Sequence, residues 1–344
     1  MPQQFENILI IKPSSLGDIV LALPALSALR KSFPDARISW LIRPEFAPLL
    51  ENHPHLDEVI IFDRKLQAKA WYNPRAAASL VSLIRQLRHR QFDCVIDLQG
   101  LFRSAFFTFC TGCRNRFGMG TSRELAHIFY KTQVPQTPQL IHLVDYFLEI
   151  MRRVGASETS VEFVVPRDEG AEDSVRQLLE QENLKCGGYA LFVPGSVHAD
   201  KRWPVENFAA LADRVRSDFN LPVIATGTQS EVGLVEQLKA KAPVVNLAGR
   251  TSLSELIALL RFSKIVISND TGPGHIAAAL GVPLVMLFGR ANPARLRPYG
   301  RDQAYLAIEP ESRGFGIEDY NPRYSVHNIT VEKVYQRLRE QLEP

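Results

Sequence analysis

Cysteine is scarce in this chain, with four in 344 residues, at positions 94, 110, 113 and 186. So few thiols do not make a disulfide-stapled scaffold, and they agree with a reducing compartment. The single CxxC, Cys110-Thr111-Gly112-Cys113, has no second pair and no spaced histidines, so it reads as packed thiols rather than as zinc or redox chemistry. No apolar run approaches the roughly 20 residues that span a bilayer. The start MPQQFENILIIKPSS has neither a basic segment nor a cleavage-like site, and the expected location is the cytoplasm. The eight histidines form no HExxH and no two aspartates stand at D-x-D spacing, so no metal is expected. GxxxxGK followed by Ser or Thr is absent, which excludes a P-loop. No GxGxxG opens the first βαβ unit, which counts against a nicotinamide dehydrogenase. Low-complexity tracts and short-period repeats are missing as well.

A strong excess of one charge is also lacking, the net being +3. The distribution is uneven, however. Between Arg64 and Lys131 stand twelve Lys or Arg (64, 65, 69, 75, 85, 88, 90, 103, 114, 116, 123, 131) against three acids, Asp93, Asp97 and Glu124. Part of this is a solvated helix face such as Arg85, Arg88 and Arg90; the rest suits an anionic acceptor or an anionic lipid surface. No nucleic-acid reading module accompanies it, and nucleic acid is not an expected partner.

What the chain does have is 46% hydrophobic and 22% charged residues, the balance of a soluble globular protein, in a length suited to two domains. Strand and helix signals alternate from end to end, which predicts parallel sheets covered by helices on both faces. Strands are expected at Asn7 to Lys12, Arg37 to Ile42, Glu58 to Phe62 and Phe92 to Asp97, with helices at Asp18 to Lys31, Pro74 to Arg90, Leu101 to Cys110 and Gln139 to Val154. The pattern resumes with strands near Tyr189 to Val193, Pro222 to Thr226, Val244 to Leu247, Ile265 to Ser268 and Leu284 to Phe288. A polar stretch separates the two series. The expected divisions are residues 1–166, a connection over 167–187, a second domain over 188–330 and a terminal helix over 331–344. Two such doubly wound halves facing each other make a central cleft along the carboxyl ends of both sheets, where open α/β folds bind ligands.

Three strand-loop-helix junctions carry chemistry. The segment KIVISNDTGPGHIAAALGVPLVMLFG runs from a buried strand through Asn269-Asp270-Thr271-Gly272-Pro273-Gly274 into a small-residue helix, His275 to Leu280. The unpaired N–H groups and positive dipole end of that helix suit a phosphate. In IIKPSSLGDIV, Asp18 reads either as an N-terminal helix carboxylate or as a general base that takes a proton from a sugar hydroxyl. In FVPGSVHADKRWP, Lys201 and Arg202 are either surface cations or the cations that close over a leaving diphosphate. His275 likewise reads as a helix-start residue or as a stabiliser of departing charge.

Taken together and in this order, ILIIKPSSLGDIVLALPALSALRKSFPDARISWLI, DCVIDLQGLFRSA and SNDTGPGHIAAALGVPLVMLFG resemble glycosyltransferase family 9, the bacterial lipopolysaccharide heptosyltransferases, over nearly the whole chain. The resemblance implies an α/β GT-B fold of two Rossmann-like domains, acceptor-side first and nucleotide-sugar-binding second. It further implies inverting, metal-independent transfer of a heptose from ADP-heptose to the lipopolysaccharide inner core. No cofactor is implied beyond the ADP-sugar co-substrate, and a peripheral contact with the inner membrane joins the expected partners. By position Asp18 matches the catalytic base. Ser196, Lys201, Asp270, Thr271, Gly272, Gly274 and His275 match the donor site, and Gln229 falls where some relatives carry a ribose-holding acid. Ser14, Ser15, Gly17, Arg64, Lys65, Gln99 and Arg103 fall on the acceptor side. A nucleotide-sugar epimerase of similar fold, or a family 9 transferase with another sugar donor, is the alternative.

Overall fold

Aliphatic runs without alternation, such as Ile8-Leu9-Ile10-Ile11 and Ile265-Val266-Ile267, are buried at every position, as parallel strands covered on both faces require. The computed structural model describes residues 4–309, 313, 314 and 316–343. The chain divides into two units, one ending at Pro166 and the other beginning at Arg167. The outermost residues of the expected divisions, 1–3 and 344, lie outside the described residues.

In the first unit β1 (Asn7–Ile11), β2 (Arg37–Ile42), β3 (Glu58–Ile61), β4 (Cys94–Asp97), β5 (Arg116–Met119) and β6 (Thr132–Val134) form one sheet in the order β3-β2-β1-β4-β5-β6, every pair parallel. The second unit has β7 (Ala190–Val193), β8 (Val223–Ala225), β9 (Val244–Asn246), β10 (Ile265–Asn269), β11 (Leu284–Phe288) and β12 (Tyr305–Ala307), in the order β12-β11-β10-β7-β8-β9, again all parallel. Counted from its own first strand, each sheet reads 3-2-1-4-5-6, the doubly wound order. Strand order reverses between β1 and β4 in one unit and between β7 and β10 in the other. Loops leaving the carboxyl ends of these strands diverge there and open a crevice for a ligand.

Helices cover the sheets through their apolar stripes. The helix Leu143–Val154 buries Leu143, Val144, Tyr146, Phe147, Leu148, Ile150, Met151 and Val154 and packs on the helix Leu16–Ser32. Each large apolar side chain of that face contributes on the order of 1.5–3 kcal/mol. This helix starts later than its periodicity predicts, because Pro138–Leu140 forms a separate 3-10 turn and the His142 side chain caps the Val144 N–H. Ser252 and Glu255 cap the helix Leu253–Arg261 reciprocally, at 2.7 and 3.2 Å, as their spacing predicts. The helix Glu169–Gln181, within the stretch expected as a connection, packs on Leu253–Arg261 and belongs to the second unit.

Candidate active site

The first unit's site grows from the end of β1. There the chain passes through Lys12-Pro13-Ser14-Ser15 into the helix Leu16–Ser32, which begins two residues before Asp18. Asp18 Oδ2 accepts from the Ser15 N–H at 3.3 Å, the Ser15 hydroxyl at 3.2 Å and Lys12 Nζ at 3.4 Å. Lys12 is buried, while the Asp18 side chain is 31% exposed, so the carboxylate is fixed on one edge and open on another.

Across the strand reversal, β4 ends in Asp97, which is fully buried. Its carboxylate accepts from the Tyr130 hydroxyl at 2.7 Å and from the Gln99 and Gly100 N–H groups at 2.8 and 3.1 Å. Burial pushes the Asp97 carboxyl above its usual value, against the pull of these hydrogen bonds. The network fixes the loop so that the Gln99 side-chain oxygen Oε1 accepts from the Ser14 N–H at 3.3 Å, joining the β4 loop to the β1 loop.

A pocket opens beside that junction. Pro13, Ser14 and Gln99 line one part of it, and Arg43, Arg64 and Arg103 another, with Phe62, Phe102, Phe107 and Glu124 completing the wall. Burial, followed by the repulsion of Arg64, draws the Arg103 pKa below its usual value. Arg43 is paired with Glu45 outside the lining, and the three guanidiniums still outnumber the nearby carboxylates, Glu45 and Glu124, which leaves the pocket suited to an anionic ligand. Of the expected acceptor-side residues, Ser14, Arg64, Gln99 and Arg103 line it. Ser15 instead holds Asp18, Gly17 is buried in the first helical turn, and Lys65 is exposed on the short helix Arg64–Gln67. Arg43 and Glu124 were not foreseen; Arg43 follows β2 directly, at a strand's carboxyl end, and that position was the available signal.

The second unit's site lies between the loops after β7 and β10. Asn269, buried at the end of β10, donates to the Pro194 carbonyl at 2.8 Å and accepts from the Trp203 N–H at 3.0 Å, which ties the two loops. The helix Gly272–Ala279 starts three residues earlier than expected, with Thr271 at its cap and Pro273 in its first turn. Gly274 is needed for close packing, since a Cβ there would stand 3.0 Å from the Ser268 hydroxyl and 3.2 Å from Met286.

At the same edge Lys201 Nζ lies 3.3 Å from Asp270 and 2.9 Å from Glu318, and His275 Nε2 lies 3.5 Å from Asp270. Burial would raise the Asp270 carboxyl, but the hydrogen bond from His275 and the charge of Lys201 outweigh it and hold it below its usual value. Burial would lower Lys201, and the two carboxylates reverse that, so the ammonium is held more firmly protonated. Arg290 pairs with Asp200, approaches Glu318 at 3.6 Å and stacks 4.7 Å over Tyr320. Arg202 closes its own loop instead of standing free, donating to the Ser196 carbonyl at 2.9 and 2.7 Å. Gln229 lies against Gly249. The carboxylate beside Gly195 is that of Glu231, which accepts from the Thr228 N–H at 2.7 Å and hydroxyl at 2.9 Å. Arg290 and Glu318 had no local sequence signal.

Residues 80–324 match the model of glycosyltransferase family 9 (heptosyltransferase). The chain belongs to this family. The family 9 chain is 29% identical to lipopolysaccharide heptosyltransferase 1 of Salmonella typhimurium over 300 residues, 86% of this chain and 92% of the relative. It is 27% identical to the protein of the same name from Escherichia coli K12, over 96% and 99% of the two chains. An E. coli heptosyltransferase solved with ADP-2-deoxy-2-fluoro heptose superposes at a TM-score of 0.76 and 25% identity, covering 97% of this chain and 99% of that one. A family 9 glycosyltransferase from Veillonella parvula reaches a TM-score of 0.83 at 23% identity, over 99% and 98%, and adds support for the fold alone. The family 9 chain is therefore a glycosyltransferase of GT-B fold, and the epimerase alternative gives way.

Proposed function

We propose that this enzyme transfers a heptose from ADP-heptose to the inner core of lipopolysaccharide, in the cytoplasm, with inversion at the anomeric carbon and without a metal. The first unit serves the acceptor and the second the donor. The observation that carries the reading is the first unit's pocket, where three arginines stand beside Ser14 and Gln99, next in the chain to the Ser15 that holds Asp18. A phosphorylated or carboxylated sugar acceptor supplies the anion that such a pocket favours. Relatives named as lipopolysaccharide heptosyltransferases, and the heptosyltransferase solved with an ADP-heptose analogue, support the same donor and acceptor.

In this mechanism Asp18 accepts the proton of an acceptor hydroxyl as its oxygen attacks the anomeric carbon, and the bond from that carbon to the β-phosphate oxygen breaks on the opposite face. General-base assistance of this kind contributes roughly 10²–10⁴ in rate. ADP departs with the electron pair. Its developing charge is met by the N–H groups at the start of the helix Gly272–Ala279 and by Lys201, with Ser196, Thr271 and His275 as further donor contacts and Gln229 or Glu231 toward the ribose.

Replacing Asp18 with Asn should lower kcat by about 10²-fold or more while leaving the Kd for ADP-heptose within a few-fold. Turnover retained within a few-fold would remove Asp18 from the chemistry. Lys201→Ala should instead weaken ADP-heptose binding, checked by calorimetry. An unchanged product anomer by NMR would contradict inversion, and activity abolished by EDTA would contradict metal independence.

A further inference from the structure

The helix Phe102–Cys110 leaves two phenylalanines outside the fold, Phe102 at 45% and Phe109 at 54% exposure. The 3-10 turn Ala126–Phe129 packs against this helix, and the Phe129 ring meets those of Phe102, Phe106 and Phe109 at 5.5, 6.5 and 5.7 Å. Two aliphatic side chains of the same turn are more exposed still, Leu125 at 66% and Ile128 at 61%. Leu125 also has a φ of +61°, a left-handed conformation that leucine adopts at a cost and that Gly or Asn adopts readily. Neither core packing nor backbone preference accounts for leucine at this place.

The charges on these segments are mostly positive. Arg103, Arg114, Arg123 and Lys131 are exposed on the same segments, Arg116 lies 5.7 Å over the Phe109 ring, and Glu124 is the one acid among them. Exposed aromatic and aliphatic side chains set among cations match the interfacial layer of a bilayer and its anionic headgroups together. Among the described residues no helix is long and apolar enough to cross a membrane, so such a contact is peripheral. Phe102, Arg103 and Glu124 also line the first unit's pocket, so the patch continues to the pocket wall.

We propose that Phe109, Leu125 and Ile128, with Arg114, Arg123 and Lys131, form a docking surface for an anionic membrane. The pocket then opens at the lipid plane, where a lipid-linked acceptor sits; only that last step rests on the transferase reading, and the docking itself does not.

The test sediments the full chain with vesicles of phosphatidylethanolamine and phosphatidylglycerol in a three-to-one ratio, and with phosphatidylcholine alone. The wild-type chain should bind the anionic vesicles about tenfold more tightly or better, less so as salt rises. Leu125→Asn with Ile128→Asn should lose about tenfold or more, with an unchanged thermal midpoint, since Asn tolerates the left-handed backbone. Arg123→Gln with Lys131→Gln is the second variant and should weaken binding and flatten its salt dependence. Heptosyl transfer to a deacylated, soluble acceptor should stay at the wild-type rate in both. No wild-type preference for anionic vesicles, or full binding by both double variants, would overturn the docking surface. So would a patch variant that changed the sedimenting mass of the free protein, because a second copy would then cover the patch. Vesicle binding lost as expected, with no heptosyl transfer by the wild-type chain, would support the docking surface and overturn the transfer reading.

Discussion

Lys201 and Arg290 share one carboxylate, that of Glu318, at 2.9 and 3.6 Å, and both cations are largely buried. Asp270 and Asp200 already pair with them. A diphosphate arriving here would meet two cations and three carboxylates, so Glu318, on a chain segment away from the β10 loop, is the charge that must yield. Removing a like charge a few ångströms from the ligand, in surroundings between protein and water, is worth on the order of 1 kcal/mol. Glu318→Gln should therefore tighten ADP about fivefold in calorimetry; unchanged or weaker binding would place Glu318 outside the donor's path. The junction at Asp270 and Thr271 was legible in the sequence because a strand, a Gly-Pro turn and a helix start lie within a few residues of one another; Lys201, on a separate loop, was placed beside it only by the family resemblance. Arg290 and Glu318 were not, because a bridge between Ala291 and Glu318 creates their meeting, and no local pattern encodes that contact.

At the scale of elements, the long apolar strands and amphipathic helices were readable because burial imposes their period on the sequence. β5, β6 and β12 escaped for the converse reason: polar or small residues (Arg116, Gly118, Thr132, Gln133) break the apolar run in β5 and β6, and β12 is only half-buried, whereas equally short β8, Val223–Ala225, is apolar and buried throughout. Yet β5 has a direct part in the site. A Cβ at Gly118 would lie 2.4 Å from the Tyr130 ring, whose hydroxyl donates to buried Asp97. Gly118→Ala should displace that ring, leave Asp97 short of a donor and cost about 1–3 kcal/mol in chemical denaturation. Because Asp97 sets the Gln99 loop, the acceptor KM should rise while the donor Kd stays put. Tyr130→Phe, which keeps the ring and removes the hydroxyl, separates the two effects: it should reproduce the KM change at a smaller stability cost. A wild-type acceptor KM in both variants would cut the link from β5 to the pocket.

At the scale of the molecule, one topology built twice carries two different electrostatic designs, and pH should tell them apart. In the first unit His53 is buried as the neutral ring, with Nε2 3.0 Å from the Val164 carbonyl and Nδ1 accepting from the His55 N–H at 3.1 Å. Burial, helped by neighbouring His55, lowers its pKa from 6.5 to about 4 despite the Val164 bond. Below pH 6.5 the unfolded chain binds a proton that the folded unit refuses, so stability rises with pH across this window. It is fully present above 6.5 and falls away as pH drops toward 4, by about 3 kcal/mol at 1.36 kcal/mol per pH unit. In the second unit the depressed Asp270 carboxyl works lower: its contribution is present above the usual 3.8 and is lost only as pH falls through the still lower folded value. Calorimetry from pH 7 to 4 should therefore show an unfolding transition that moves down through this window, and His53→Gln, which can still donate to Val164, should remove most of that slope. A slope as steep in His53→Gln as in the wild type would mean that other groups, and not this histidine, govern the acid sensitivity of the first unit.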